Sequence, residues 1–431
     1  MLSIRKLVEY QMELGYVDFL DRDLDPVLEP TKYLKEADRR GRTLVFRTKT
    51  SPLYAVSGVI NSREKLYRVL GASRDEEAYE KLIKSFTQRS SSFRIASFSD
   101  LYGKYDGDVR SLPAIKFYEG DGGLYIDSSI VVARTPDLES YNASIHRLMV
   151  LGGDAFVIRL VPRHLHRIYE LNRRHGRETP IAIVIGAHPV IELASSLSPP
   201  YGVFEFELVK ALSGEDLELT YTPKYGLPVP AYSSVVIEGR ITGETVSEGP
   251  FVDILSLYDR TRQQPVIKVD SIYVSKNREY FHVILPGGWE HMILMGLPRE
   301  AAIWDSVRKA LPCVRKVRLT PASGMWLHAV ISVCKETDGD GKTAIMAAFA
   351  AHPSLKHVVV VDDDIDPDKP EEVEWAVATR FQASRGLVVV HHARGSTLDP
   401  SSDDGLTDKV GIDATFPVRL RDLFLRPRAV D

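Results

Sequence analysis

The spacing of apolar positions changes along the chain, and each change marks a region. Over the first 120 residues two periods mix. SIRKLVEYQMELG carries apolar residues at amphipathic-helix spacing, TLVFRTKT and YAVSGVI read as short strands, and RDEEAYEKLIKSFTQRS predicts a second helix with charges toward solvent. The Pro- and Gly-studded stretch from Pro113 to Gly123 punctuates the pattern as a boundary does. From about 124 to 300 strand signals dominate: GLYIDSSIVVART, DAFVIRLV, IAIVIGAHP, SSVVIEGRIT, PVIKVDSIYV and EYFHVIL are β-branched and alternate or run apolar. HLHRIYELNRR and FEFELVKALSG predict helices among them. Many short strands with few helices predict a closed or split barrel rather than a doubly wound sheet.

Helix and strand alternate again from about 300. REAAIWDSVRKAL, GKTAIMAAFAAHP and EEVEWAVATRFQ predict helices, and HAVISVC, HVVVVDDD and GLVVVHHA strands, as in a βαβ-type domain. The stretch after Gly395 reads as loop-rich. The expected fold is therefore α+β, with an α/β domain over 1–123, a split β-barrel domain over 124–300 and a C-terminal α/β domain over 301–431.

Composition narrows the class. The chain has 431 residues, 44% hydrophobic, enough to bury several cores. A formal charge of −4 gives no footprint for nucleic acid, and no apolar run reaches the roughly 18 residues of a membrane span. The N-terminus mixes charge throughout and lacks a signal peptide's apolar core, so a soluble, cytoplasmic protein is expected. Cys313 and Cys334 cannot build a disulfide framework or a Cys-rich zinc site. Asparagine occurs only at Asn61, Asn142, Asn172 and Asn277, and glutamine is nearly as sparse, which points to a thermophilic source.

Several motifs tempt and fail. GDGKT (Gly339 to Thr343) lacks the glycine a phosphate loop needs five positions before Gly341, where Glu336 stands, so it reads as a helix N-terminal turn. Asp362, Asp363 and Asp366 spell DDxxD, but on a strand-to-helix loop ahead of Pro367, where acids cap a helix or pair with an Arg. His391 and His392 are adjacent in a strand and point to opposite faces, and His328 in an apolar strand reads as a satisfied core residue.

The polar groups that most need explaining lie in four segments: Asn142-Ala-Ser-Ile-His-Arg147, Pro162-Arg-His164-Leu, Phe204-Glu205-Phe-Glu207 and Glu248-Gly-Pro-Phe-Val-Asp253. Asn, His and Glu together offer oxygen and imidazole donors that suit a hard-to-borderline divalent ion, manganese or magnesium. Each also has a bland reading, as a turn, a helix start or a solvated face. Two carboxylates five apart on a Gly-Pro turn can face one pocket, where an arginine would hold one ionised while the drier one keeps a proton. The bland alternative is a polar hairpin loop.

Together these segments resemble the UbiD family of decarboxylases. The family's N-x-x-x-x-R element matches Asn142 to Arg147, its His-aliphatic pair matches His164, its E-x-x-x-x-A-x-x-G helix looks like EFELVKALSG, and its E-G-P-F-x-[DE] element is matched by EGPFVD. VVVVDDDIDPDKPEEVEWAVATRFQ looks like a further family stretch. The order of the five, at near-family separations, is more specific than any one.

The resemblance implies prenylated FMN as cofactor, with Asn142, His164 and Glu205 binding Mn2+ or Mg2+ at its phosphate. It places Ser144, Ile145 and Arg147 against the cofactor, and Ser195, Ser196 and Leu197 along the phosphate and a K+ site, Leu197 standing where the family has Met. Lys409 would reach the phosphate, and Arg147, Glu248 and Asp253 would form the catalytic network with Asp253 as proton donor. The chemistry is coherent, because loss of CO2 from an sp2 carbon leaves a charge that no side chain can spread. The chain's brevity and amide-poor composition are more similar to archaeal members. One such group takes trans-anhydromevalonate 5-phosphate, a small phosphorylated unsaturated acid, to isopentenyl phosphate. The alternatives are a polyprenyl-hydroxybenzoate or other aryl-acid decarboxylase and, from another class, a non-catalytic flavin-binding protein. The resemblance further implies a flavin prenyltransferase that supplies the cofactor and a homo-oligomer, a dimer or hexamer, with neither a nucleic-acid partner nor a membrane span.

Overall fold

The computed structural model of the protein describes residues 2–403 and 405–424. Contacts divide the chain into two compact units, Met1–Arg74 with Lys84–Leu294, and Asp75–Ile83 with Met295–Asp431. No helix among the described residues is long and apolar enough to cross a membrane.

The first unit opens on α1 (Ile4–Glu13), whose start is fixed by Ser3, its hydroxyl accepting the Lys6 N–H. A small sheet follows: β1 (Val17–Leu24) runs parallel to β2 (Thr43–Thr48), and β2 antiparallel to β3 (Ala55–Ser57). The strand expected from EYFHVIL shrinks to Phe281–His282, because β3 offers it only Ala55 and Val56 as partners.

Six strands then close a barrel: β4 (Tyr125–Arg134), β5 (Tyr141–Gly152), β6 (Ala155–Ile158), β7 (Thr179–Ile185), β8 (Val235–Glu248) and β9 (Arg262–Ser275). The order is β8-β7-β4-β5-β6-β9, every neighbour is antiparallel, and β8 pairs back onto β9. Closure leaves no edge for these strands and explains why the long β8 and β9 must bend, with register shifts at Glu238/Gly239 and Ile241/Thr245. A Cβ at Gly239 would lie 2.6 Å from the Lys268 carbonyl oxygen, so only glycine fits that bend. β7 is buried along Ile181–Ile185, hence its continuous apolar run. β5 was not legible as a strand, because Asn142, Ser144, His146 and Arg147 interrupt its alternation; it forms because β4 and β6 flank it.

Connections between strands carry α2 (His164–Arg174), α3 (Pro189–Ser196) and α4 (Val209–Ser213). FEFELVKALSG, expected as one helix, is a 3-10 turn at Glu205–Leu208 followed by α4, which ends at left-handed Gly214.

α5 (Trp289–Ala310) contains the boundary between the units. The second unit holds β10 (Val314–Leu319), β11 (His328–Val333), β12 (His357–Asp362), β13 (Leu387–Arg394) and β14 (Leu406–Asp413) in the order β10-β11-β12-β14-β13. β11, α6 (Asp340–Ala351) and parallel β12 form the expected βαβ unit. The stretch after Gly395 is not only loop: β14 lies there, parallel to β12, and its polar Asp408 and Lys409 hide the strand pattern.

The unproductive motifs resolve locally. GDGKT opens α6, and Asp340 accepts the Glu336 and Thr337 N–H groups. Asp362 and Asp364 hold the buried guanidinium of Arg380 on α7 (Pro370–Arg380), and Asp366 pairs with Lys316. His391 is exposed and pairs with Asp408. His328 is not the satisfied core residue expected: its Nε2 is buried without a hydrogen-bond partner, because the strand surrounds it with apolar groups and His357. Cys313 and Cys334, too few for a framework, join in one disulfide at the ends of β10 and β11.

Candidate active site

Strand β5 delivers polar groups to two clusters in the first unit. The first starts at Asn142, whose amide lies 2.7 Å from Glu205 Oε1, while the Ala143 N–H donates to Glu205 Oε2 at 2.6 Å. His164, the first residue of α2, brings Nδ1 to 3.9 Å from Glu205 Oε1. Three residues far apart in the chain thus converge on one buried carboxylate. Burial pushes the Glu205 carboxyl up, opposed by His164 and the Ala143 N–H.

Proton accounting at this cluster tests whether it fits a cation. His146 places Nδ1 3.0 Å from the Arg159 carbonyl, which can only accept, so Nδ1 carries the hydrogen and Nε2 must accept. Burial pushes His146 down to about 4, so the ring is neutral. Its acceptor lies 2.9 Å from Ser144 Oγ, which commits the single Ser144 hydrogen. Ser144 then has to accept from Asn142, and the two ends of an amide are interchangeable in electron count. The amide NH2 therefore belongs on Ser144 and Asn142 Oδ1 on Glu205. Two oxygens at that distance need a cation or a proton between them, and the amide oxygen, carboxylate and imidazole are the donor set of a hard-to-borderline divalent ion. Among the described residues, no group of three or more His, Cys, Asp or Glu side chains has metal-holding geometry, so any ion here relies on the Asn142 oxygen.

Arg147, five residues along β5, anchors the second cluster. Its Nε donates to Glu248 Oε1 at 2.9 Å, and Nη2 to Glu248 Oε2 at 3.1 Å and Asp259 Oδ2 at 3.0 Å. Nη1 stands 3.4 Å from Asp253 Oδ2. The guanidinium lies 4.9 Å over the Phe251 ring. Glu248 ends β8, and Phe251–Val252 pairs with Tyr258–Asp259 in a short hairpin that places Asp253 and Asp259 on either side of its turn. Side-chain exposure ranks the acids: Glu248 0%, Asp259 4% and Asp253 22%, so Asp253 is the one that opens outward. Burial pushes Arg147 down, but Glu248, Asp253 and Asp259 outweigh it and raise it further.

Ser195 and Ser196, on α3, turn their hydroxyls to helix carbonyls of Ile191 and Leu193, Ser196 also reaching the Leu294 carbonyl, and Leu197 is buried. α3 packs against β5 and the Glu205–Leu208 turn, which puts this segment beside the first cluster. Ile145 pairs with Ile130 across the β5–β4 ladder. Lys409 lies apart from these residues in the chain's second unit, on β14, with Nζ donating to the Pro353 and Leu355 carbonyls; burial pushes it down to about 8.

Sequence reasoning missed Asp259, Arg159, Arg262, Tyr125 and His291. Arg159 Nε lies 3.4 Å and Arg262 Nη1 2.5 Å from Asp259. Tyr125 donates to Glu248 at 3.3 Å. The Gly287 N–H donates to His291 Nδ1, and burial, with Arg147 nearby, pushes that ring down against the pull of Asp253. LYDRTR carries no motif; only the hairpin register marks Asp259.

Residues 95–289 match the family model described as the 3-octaprenyl-4-hydroxybenzoate carboxy-lyase Rift-related domain, and 292–414 match the C-terminal domain of the same carboxy-lyase. A relative from Aeropyrum pernix named anhydromevalonate phosphate decarboxylase is 49% identical over 96% of this chain and 93% of its own. The UbiD-class enzyme HmfF from Pelotomaculum thermopropionicum, solved with FMN, superposes with a TM-score of 0.94 at 37% identity, covering 99% of this chain and 97% of that one. An evolved dimeric form of HmfF with prFMN gives 0.90 at 34% identity, covering 100% and 97%.

Proposed function

Because this chain belongs to the UbiD family of carboxy-lyases, we propose that it decarboxylates trans-anhydromevalonate 5-phosphate to isopentenyl phosphate with prenylated FMN. The carrying observation is the Arg147–Glu248–Asp253 cluster, in a chain 49% identical to a relative named for that substrate. Asn142, His164 and Glu205 would hold Mn2+ or Mg2+ at the cofactor phosphate, with Ser195, Ser196 and Leu197 beside it and K+ as a further ion. Bound prenylated FMN supplies the electron sink that the side chains lack.

The chain's own residues do the rest. Arg147 offers a planar fork that orients the substrate carboxylate. Glu248, bidentate on that fork, keeps it from gripping a group that must leave as neutral CO2. Asp253 gives its proton to the carbon that lost CO2, and its outward face lets solvent restore that proton. One proton is consumed and one CO2 released per turnover. A flavin prenyltransferase must supply the cofactor. The exposed Leu387, Val389 and Val390 of edge strand β13 support a homo-oligomer.

Coexpression with a flavin prenyltransferase tests the reading. A prenylated-flavin absorbance and turnover of the phosphorylated enoate are expected; turnover of an aryl acid alone would overturn the substrate. Glu205→Ala and His164→Ala should lose metal and modified flavin together, and full occupancy of both in either variant would refute the ion site.

A further inference from the structure

Arg147 has more acids around it than its proposed role requires. Three guanidiniums, Arg147, Arg159 and Arg262, face three carboxylates, Glu248, Asp253 and Asp259. Asp259 touches all three guanidiniums: Oδ2 lies 3.0 Å from Arg147 and 3.4 Å from Arg159, and Oδ1 lies 2.5 Å from Arg262. Burial pushes its carboxyl up, yet Arg262, Arg147 and Arg159 outweigh that and hold it below the usual range. Asp253 is held differently. Its Oδ1 accepts the Ile254 N–H at 2.6 Å, and its contact with Arg147, at 3.4 Å, is long for a hydrogen bond.

We propose that Asp259 is a positioning residue that, braced by Arg262 and Arg159, keeps Arg147 turned to Glu248 and so leaves Asp253 free to deliver its proton. The hairpin makes this possible. Its register sets Asp259 opposite Phe251, whose ring lies under the guanidinium, while Asp253 starts the turn between the two arms. Arg147 Nη2 is shared between Glu248 and Asp259, so the fork is fixed on both sides. With Asp259 neutralised, three guanidiniums would face two carboxylates, and the loosely held Asp253 is the nearest remaining partner for Arg147. An arginine closed on Asp253 keeps it ionised, and an ionised acid has no proton to give. Tyr125, on Glu248, and His291, near Asp253, complete the polar surroundings.

The inference rests on the decarboxylase reading, and its test separates the two. In the loaded enzyme, Asp259→Asn should lower kcat per bound flavin by about tenfold or more with KM unchanged or lower, because Arg147 still meets the substrate carboxylate. Arg262→Gln, which removes a brace at a more exposed position, should lower kcat in the same direction by less. A packing role would instead reduce the amount of loaded enzyme and leave kcat per flavin alone. A crystal structure of Asp259→Asn should show Arg147 closed on Asp253 at hydrogen-bond distance. If both variants keep kcat per flavin within about twofold, or if Arg147 stays as it is now without the Asp259 carboxylate, the inference is overturned. If the wild type turns over no unsaturated acid, the decarboxylase reading fails, while the crystal structure still decides the position of Arg147.

Discussion

Two buried charge clusters in the first unit use the same residue types to different ends. Around Arg147, three cations meet three acids, and one acid, Asp253, is loosely held and part exposed. Around His282 nothing is loose. Its Nδ1 lies 2.8 Å from Glu192 Oε1 and its Nε2 3.2 Å from Glu290 Oε2, while Glu290 accepts the Gly58 and Ile60 N–H groups. His282 and Glu192 are 0% exposed and Glu290 2%. Burial pushes His282 down, but Glu192 and Glu290 outweigh it and raise it well above 6.5. Burial lifts Glu192, whose Oε2 has no partner among the described residues; on Glu290 His282 outweighs burial and lowers it. The second cluster is one cation between one protonated and one ionised acid, closed to water. Reactivity needs a group whose proton can leave, and only the first cluster keeps one.

The sharpest break in that contrast is Asp253→Asn, which should cut decarboxylation by about two to four orders of magnitude while cofactor absorbance is retained. Full activity would remove Asp253 from its role. His282→Asn strands an ionised Glu290 in the interior and should cost about 3–5 kcal/mol in urea unfolding, with a smaller loss meaning that water or rearrangement replaces the cation. The pH dependence of unfolding sharpens the contrast further. Protonated His282, raised above 6.5, adds stability that is complete below that pH and is lost as pH rises through its folded value. Wild type should therefore lose stability on the alkaline side relative to His282→Asn; parallel curves would mean His282 is not charged. Glu290, lowered from 4.5, acts oppositely, its contribution fading as pH falls. The smallest effect belongs to Glu192→Gln, which replaces an already protonated acid and should change stability by no more than about 1 kcal/mol.

Much of the barrel was legible because its strands are buried on one or both faces and carry the apolar periods that burial demands. β5 and β14 were not, because both carry polar residues that other elements satisfy: Glu205 and Glu248 for β5, the Pro353 and Leu355 carbonyls for Lys409 of β14. Asn142, His164 and Glu205, and separately Arg147, Glu248 and Asp253, do converge, as their motif order implied. Asp259 and His291 stayed hidden, since neither stands in a motif and each acquires meaning only through a hairpin register or a turn.

By itself, the chain's order of residues determined which segments bury a face and which side chains carry reactive chemistry, because period and functional group are local properties. Tertiary structure alone decided how tightly each acid is held. That depends on distances between strands remote in sequence, where a few tenths of an ångström separate the ion pair that fixes a charge from the contact that lets a proton go.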